Sequence, residues 1–181
     1  MSCVFISSDW HLGHKNIPKY RSHVSSVEDN YAFIGDNYTL RERDILILLG
    51  DIVFEPKAFE FIQKLPAAKK ILVLGNHDWE RFKVNMSDIA STFNEVVGVK
   101  SYKHCWLTHM PIVESEFRGK ILNIHGHIHN EERNPEIRDN PSYVNVNVDV
   151  IYAKHKKIVL EWGVMMEMAK ARLAQRPSII S

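Results

Sequence analysis

Five short apolar runs in this chain each stop at residues able to hold a metal ion. Cys3-Val4-Phe5-Ile6 is followed by Asp9 and His11, Ile45-Leu46-Ile47-Leu48-Leu49 by Gly50-Asp51, and Ile71-Leu72-Val73-Leu74 by Gly75-Asn76-His77-Asp78. Cys105-Trp106-Leu107-Thr108 runs into His109, and Ile121-Leu122-Asn123-Ile124 into His125-Gly126-His127-Ile128-His129. Apolar runs of this length without polar alternation read as strands buried on both faces, which need cover above and below. Ligands of open α/β sheets gather beyond the carboxyl ends of the strands. One such ending is weak evidence, but five in one chain form a pattern. At the first ending an extended chain is expected, in which residues two apart point the same way. Asp9 and His11 then project together and can grip one ion.

Strand and helix alternate in the early half. Ser26 can cap a helix over about Val27 to Leu40, with Glu28 and Asp29 in its first turn. Pro56 to Leu65 reads as a helix with Pro in its first turn and Phe59 and Ile62 three apart. Trp79 to Phe93 is expected to be helical in part, and His14–Val27 and Asn130–Pro141 to be loops. Val96–Val99 and Cys105–Thr108 are expected as antiparallel neighbours. Val144–Val148 alternates strictly and reads as a strand with one polar face, paired with Ile158-Val159-Leu160. Trp162–Arg176 reads as a terminal helix whose Met165, Met168, Ala169 and Leu173 share a core-packing arc. This order predicts a mainly parallel sheet with helices on it, and a second sheet packed on the first. With 181 residues and neither repeat nor linker, a single domain over residues 1–181 is expected.

A formal net charge of +1 removes any global electrostatic argument for binding nucleic acid or a membrane surface. No stretch reaches the length of a membrane span. The two cysteines, one of them in a core strand, and the lack of a basic leader predict a cytoplasmic protein. Ten histidines is the unusual count, and histidine is the side chain most used for metals and near-neutral proton transfer. His23, His104 and His155 lie in no motif and read as surface or structural residues. Gly35-Asp36 interrupts a predicted helix and is not a strand ending.

Asp9-x-His11, Gly50-Asp51, Gly75-Asn76-His77-Asp78, His109 and Gly126-His127-x-His129 occur in that order. Together they resemble the signature of the calcineurin-like metallophosphoesterase superfamily. The segment from Ser8 to Ile17 is similar to a small single-domain bacterial and phage branch of it. The resemblance implies an α/β fold, a four-layer α/β/β/α sandwich of two mixed sheets with flanking helices, with a dinuclear metal site at the carboxyl ends of the strands. It assigns Asp9, His11, Asp51 and His129 to one metal and Asp51, Asn76, His109 and His127 to the other, with Asp51 bridging. His125 matches no ligand position and reads either as a residue behind the ligands or as structural.

Four imidazoles and no thiolate suit two divalent transition-metal ions, Mn²⁺ first and Fe, Zn²⁺ or Ni²⁺ after it, better than Mg²⁺ or Ca²⁺. The implied activity is phosphoester hydrolysis by a metal-bridging hydroxide, on small phosphodiesters ahead of monoesters, cyclic nucleotides among them. His77 would assist the leaving group and Asp78 would hold the His77 ring. His14 and Asn16 are expected either to face the substrate or to stabilise their loop. The expected partner is a small phosphorylated molecule. Two rival readings are a catalytically silent scaffold on the same fold and a nuclease of the superfamily. The intact His77 and seven ligand positions argue against the first, and the missing aromatic-basic stripe against the second.

Overall fold

The structure, a computed structural model, describes residues 1–79 and 84–175. Strands β1 (Val4–Ser7), β2 (Ile45–Leu49) and β3 (Lys69–Val73) lie side by side and parallel. Helices α1 (Ile17–Tyr20) and α2 (Val27–Asp36) fill the first crossover and α3 (Lys57–Lys64) the second. The short α1 replaces part of the loop expected over His14–Val27, and Pro18 sits in its first turn, where no N–H is needed. The Ser26 hydroxyl caps α2 by accepting the Asp29 N–H at 3.0 Å. That helix stops at Asp36 rather than Leu40, just after Gly35, a weak helix former. Tyr31, Ile34, Phe59 and Ile62, with Ile89 of α4 (Met86–Thr92), pack against Leu46, Leu48 and Leu72 in one core. Residues 80–83 of the helical stretch expected over Trp79–Phe93 lie outside the described residues.

β4 (Glu95–Val97) extends this sheet parallel to β3. The antiparallel neighbour of β6 (Cys105–Leu107) is instead β5 (Lys100–Tyr102), which corrects the pairing expected for Val96–Val99. The hairpin closes through Lys103 and His104, both left-handed at φ 44° and 63°. Neither is a residue that announces such a turn. β7 (Leu122–His125) follows β6 in parallel, then come α5 (Pro135–Arg138), β8 (Tyr143–Asn145) and α6 (Val148–His155). The strand expected over Val144–Val148 therefore ends early. Asn147 caps α6 by accepting the Asp149 N–H at 2.9 Å. β9 (Leu160–Glu161) pairs antiparallel with β1, not with β8, and leads into α7 (Trp162–Ala174). The sheets run β4-β3-β2-β1-β9 and β5-β6-β7-β8.

The two sheets face each other across a second core. Ile6, Ile47, Leu49 and Val73 meet Cys105, Leu107, Leu122 and Ile124, and α7 adds Trp162, Met165 and Ala169. Met168, expected on that arc, is exposed. Arg172 reaches the carbonyls of Tyr143 (3.2 Å) and Arg138 (2.7 Å), so this helix also ties to the second sheet through polar bonds. The outer face of the second sheet carries Trp106, Asn123 and Tyr143, paired across neighbouring strands. It is covered by the segment around the short 3₁₀ turn Glu114–Glu116. A parallel bridge between Ser8 and Asn147 joins the sheets just past β1 and β8. All the parallel strands thus deliver their carboxyl ends to one place. Among the described residues, no helix is long and apolar enough to cross a membrane.

Candidate metal centre

The loops beyond the strand ends are zipped together. Asp9 N–H donates to the Gly50 carbonyl at 2.9 Å, His11 N–H to Asp51 at 3.1 Å and Leu12 N–H to Ile52 at 2.9 Å. The backbone there is not extended. Asp9 (φ 59°), His11 (φ 51°), Asp51 (φ 56°) and His127 (φ 65°) are all left-handed, a conformation that costs about 1–3 kcal/mol for residues with a Cβ. Asp9 and His11 therefore converge through two left-handed residues flanking buried Trp10, not through the strand alternation expected of them. Gly50 (φ +81°) lets the neighbouring loop in, since a Cβ on it would lie 2.5 Å from Gly75 Cα and 2.6 Å from His109 Nδ1. A Cβ on Gly126 would lie 2.5 Å from Asp9 Oδ2 and 2.3 Å from Ser8 Oγ.

Two clusters result, each with its ligand atoms within 4.8 Å of one another: Asp9, His11 and His129, and Asp51, His109 and His127. Every anchoring bond uses the atom that faces away from the cluster. Asp9 Oδ2 accepts the Ser8 hydroxyl at 2.6 Å and the His127 N–H at 3.0 Å. Its Oδ1 points at His129 Nε2 (3.4 Å) and His11 Nε2 (3.7 Å). Asp51 Oδ1 accepts the His77 N–H at 2.8 Å, and its Oδ2 lies 3.4 Å from His109 Nε2 and 4.0 Å from His11 Nε2. His109 Nδ1 donates to the Leu49 carbonyl at 2.8 Å, which turns Nε2 toward Asn76 Oδ1 (3.1 Å) and His127 Nδ1 (3.2 Å). Asp9 Oδ1 and His11 Nε2 are buried without a hydrogen-bond partner. Such orphaned atoms, in a set of carboxylate, amide and imidazole donors, fit divalent cations.

The electrostatics agree. Burial opposes ionisation of Asp9, but the imidazoles of His11 and His129 beside it hold it well below the usual carboxylate range. Asp51 is lowered despite burial by His109. Burial would discharge His109 and His129, yet Asp51 and Asp9 lift the first to about 9, and Asp149 and Asp9 lift the second to about 9. His109 and His129 thus offset the clustered carboxylates, while burial lowers His11 and His127.

His77 joins the site, its Nε2 3.9 Å from Asp51 Oδ2. Asp78 does not hold its ring, which corrects that expectation. The Asp78 carboxylate accepts the backbone N–H groups of Gly75 (2.8 Å), Asp51 (2.9 Å) and Ile52 (2.9 Å). Burial pushes this carboxyl up to about 6, against the pull of those N–H groups. Adjacent side chains in a turn diverge, so Asp78 fixes the Gly50–Ile52 backbone rather than its neighbour. His14 does reach the site, and His11, His14 and His77 pack around Phe54 at ring distances of 4.8, 4.7 and 5.3 Å. Asn16 is exposed and lies outside the cleft lining. His125 is buried on the second sheet against Tyr143, pushed down to about 4 by burial, and joins neither cluster.

Sequence reasoning missed Phe54, Arg21, Asn30 and Asp149. Arg21 is buried and bonds Asp149 and Asn30, and Asp149 Oδ2 accepts His129 Nδ1–H at 2.9 Å. The available signal was Asn147-x-Asp149, an N-cap with an acid in the helix's first turn, which the apparent strand alternation hid. A cleft of about 780 Å³ opens beside the clusters. His11, His14, His77 and His129 line it together with apolar Ile17, Tyr20, Val150 and Ala153 and charged Glu131, Glu132, Arg133, Asp149 and Lys154.

A family model for calcineurin-like phosphoesterases matches residues 4–166. The chain is 30% identical over 165 residues to an uncharacterized protein, MJ1445, of Methanocaldococcus jannaschii, covering 85% of this chain and 86% of that protein. Its fold is similar to the crystal structure of a protein of unknown function from Aquifex aeolicus, AQ665. That match has a TM-score of 0.65 and 23% identity, over 93% of this chain and 100% of the other.

Proposed function

Because the chain belongs to the calcineurin-like phosphoesterase family, whose chemistry is metal-dependent phosphoester hydrolysis, we propose that it hydrolyses small phosphodiesters at a pair of divalent ions. The observation that carries this reading is the place of Asp51 Oδ2, between His109 Nε2 at 3.4 Å and His11 Nε2 at 4.0 Å. A carboxylate so placed can serve both clusters at once. Asp9, His11, Asp51 and His129 would hold one ion, and Asp51, Asn76, His109 and His127 the other. Bound ions supply Lewis-acid polarisation of the phosphoryl oxygens and a low-pKa water as nucleophile. Mn²⁺ fits the mixed oxygen and nitrogen donors first, with Fe, Zn²⁺ and Ni²⁺ as alternatives.

The chain's own residues do the rest. His77 lines the cleft and gives a proton to the departing oxygen, a contribution of about 10²- to 10⁴-fold. His14 lines the approach. Ile17, Tyr20, Val150 and Ala153 offer an apolar wall to the organic half of the ester, which favours diesters, cyclic nucleotides included, over small monoesters. The test is to load metal-free protein with Mn²⁺ and screen bis(p-nitrophenyl) phosphate, p-nitrophenyl phosphate and 2′,3′- and 3′,5′-cyclic nucleotides. Faster turnover of diesters is expected. Two equivalents bound with no turnover of any ester would favour a silent scaffold, and preference for the monoester would overturn the diester assignment.

A further inference from the structure

Arg21 has a side chain with no exposure to solvent, although it lies on no sheet and in no motif. A buried guanidinium is tolerated only when its donors are matched. Here all five N–H groups have an acceptor. Nε donates to Asp149 Oδ1 at 2.6 Å, Nη2 to Asp149 Oδ2 at 3.2 Å and to the Asp9 carbonyl at 3.1 Å. Nη1 donates to Asn30 Oδ1 at 2.5 Å and to the Trp10 carbonyl at 3.4 Å. Asn30 Nδ2 donates to the same Trp10 carbonyl at 3.0 Å. One arginine thus ties down the left-handed Asp9 backbone and, through Asp149, the ring of His129.

Both ends of this relay belong to the same cluster. His129 Nδ1–H donates to Asp149 Oδ2 at 2.9 Å, so Nε2 is the ring nitrogen turned to the cluster, 3.4 Å from Asp9 Oδ1. The other cluster is backed differently, with His109 Nδ1–H on the neutral Leu49 carbonyl. A carboxylate behind a ligating imidazole fixes its ring and strengthens it as a donor more than a carbonyl does.

We propose that Arg21 and Asp149 are positioning residues for one of the two ions only, the one at Asp9, His11 and His129. The proposal rests on the two-ion reading above. It makes the two sites unequal and assigns the inequality to two residues that belong to neither cluster.

The test is calorimetric titration of metal-free protein with Co²⁺, with thermal melting of each metal-free variant alongside. Wild type is expected to bind two equivalents. Asp149→Asn removes the charge while keeping the shape, and is expected to weaken one binding event about 10- to 100-fold and leave the other unchanged. Arg21→Lys, a point charge with three donors in place of a five-donor fork, is expected to weaken the same event. If Asp149→Asn does not fold, Asp149→Glu, which keeps the charge but displaces it, takes its place with the same selective loss. Equal weakening of both events, or of neither, would overturn the proposal while leaving the two-ion reading intact. Wild type that binds fewer than two equivalents would overturn that reading and this inference together.

Discussion

The backbone N–H of His77 donates to Asp51 Oδ1 at 2.8 Å, so the residue facing the cleft is fastened to the residue between the two clusters. The bond occupies one carboxylate oxygen and leaves the other, Oδ2, facing His109 and His11. Asp51→Asn keeps an acceptor for His77 but loses the charge that offsets two dications. The expected result is a loss of roughly 10³-fold or more in kcat with a metal content well below two equivalents, read by steady-state kinetics and elemental analysis.

His77→Ala removes a ring without touching either cluster's donor set. Metal content should stay at the wild-type value while kcat falls about 10²- to 10⁴-fold. The loss should shrink for p-nitrophenyl esters, whose leaving group needs no proton. An equal loss for good and poor leaving groups would remove the proton-donor role.

Gly126→Ala places a methyl against the Asp9 carboxylate and the Ser8 hydroxyl, both buried. Neither can retreat without breaking the bonds that orient Asp9. A stability loss of about 1–3 kcal/mol is expected in denaturant melts, together with weaker metal uptake. Gly98→Ala, where a Cβ meets nothing within 4 Å, is the control.

Metal-free protein should lose stability as pH rises. His109 and His129 are lifted to about 9 in the folded chain, above the ordinary value of about 6.5 expected when unfolded. A group with a raised folded pKa contributes stability fully below its unfolded value, and that contribution fades between about pH 6.5 and 9. The melting temperature of metal-free protein should therefore fall across that window. Metal loading at pH 7 should release protons, measurable by calorimetry in buffers of different ionisation enthalpy.

The two thiols should differ in reactivity. Cys105 is buried and burial pushes its thiol up to about 11, whereas Cys3 is half-buried just before β1. Native protein should titrate with one fast thiol, and Cys3→Ser should abolish that phase.

What was legible in the chain was hydrophobic continuity. β2 and α3 fall where the runs Ile45–Leu49 and Pro56–Leu65 place them, because buried strands and amphipathic helices write their period into the sequence. The ends of the strand runs also located the residues that the fold brings together. Pairing was less legible. Val96 and Val97 are apolar enough for either sheet, and only the register with Leu72 and Val73 decides it. Val144–Val148 alternates through a strand end and a helix start alike, so period alone missed α6 and with it Asp149. Least legible was the backbone of Asp9, His11 and Asp51. Left-handed residues with side chains are held by surrounding structure, here the Gly50 approach and the Arg21 bonds to the Asp9 and Trp10 carbonyls. No local preference announces them.

The Ser8–Asn147 bridge has a mechanical corollary. Asp9, His11, Asp51 and Asn76 hang from one sheet, and His109, His127 and His129 from the other. Each cluster in turn draws on both sheets. An ion seated in either cluster rivets the two halves of the sandwich across their seam. Stripping the ions unpins that seam first, so amide exchange should quicken at the strand tips around Ser8 and Gly126 well before it does in the middle of β2.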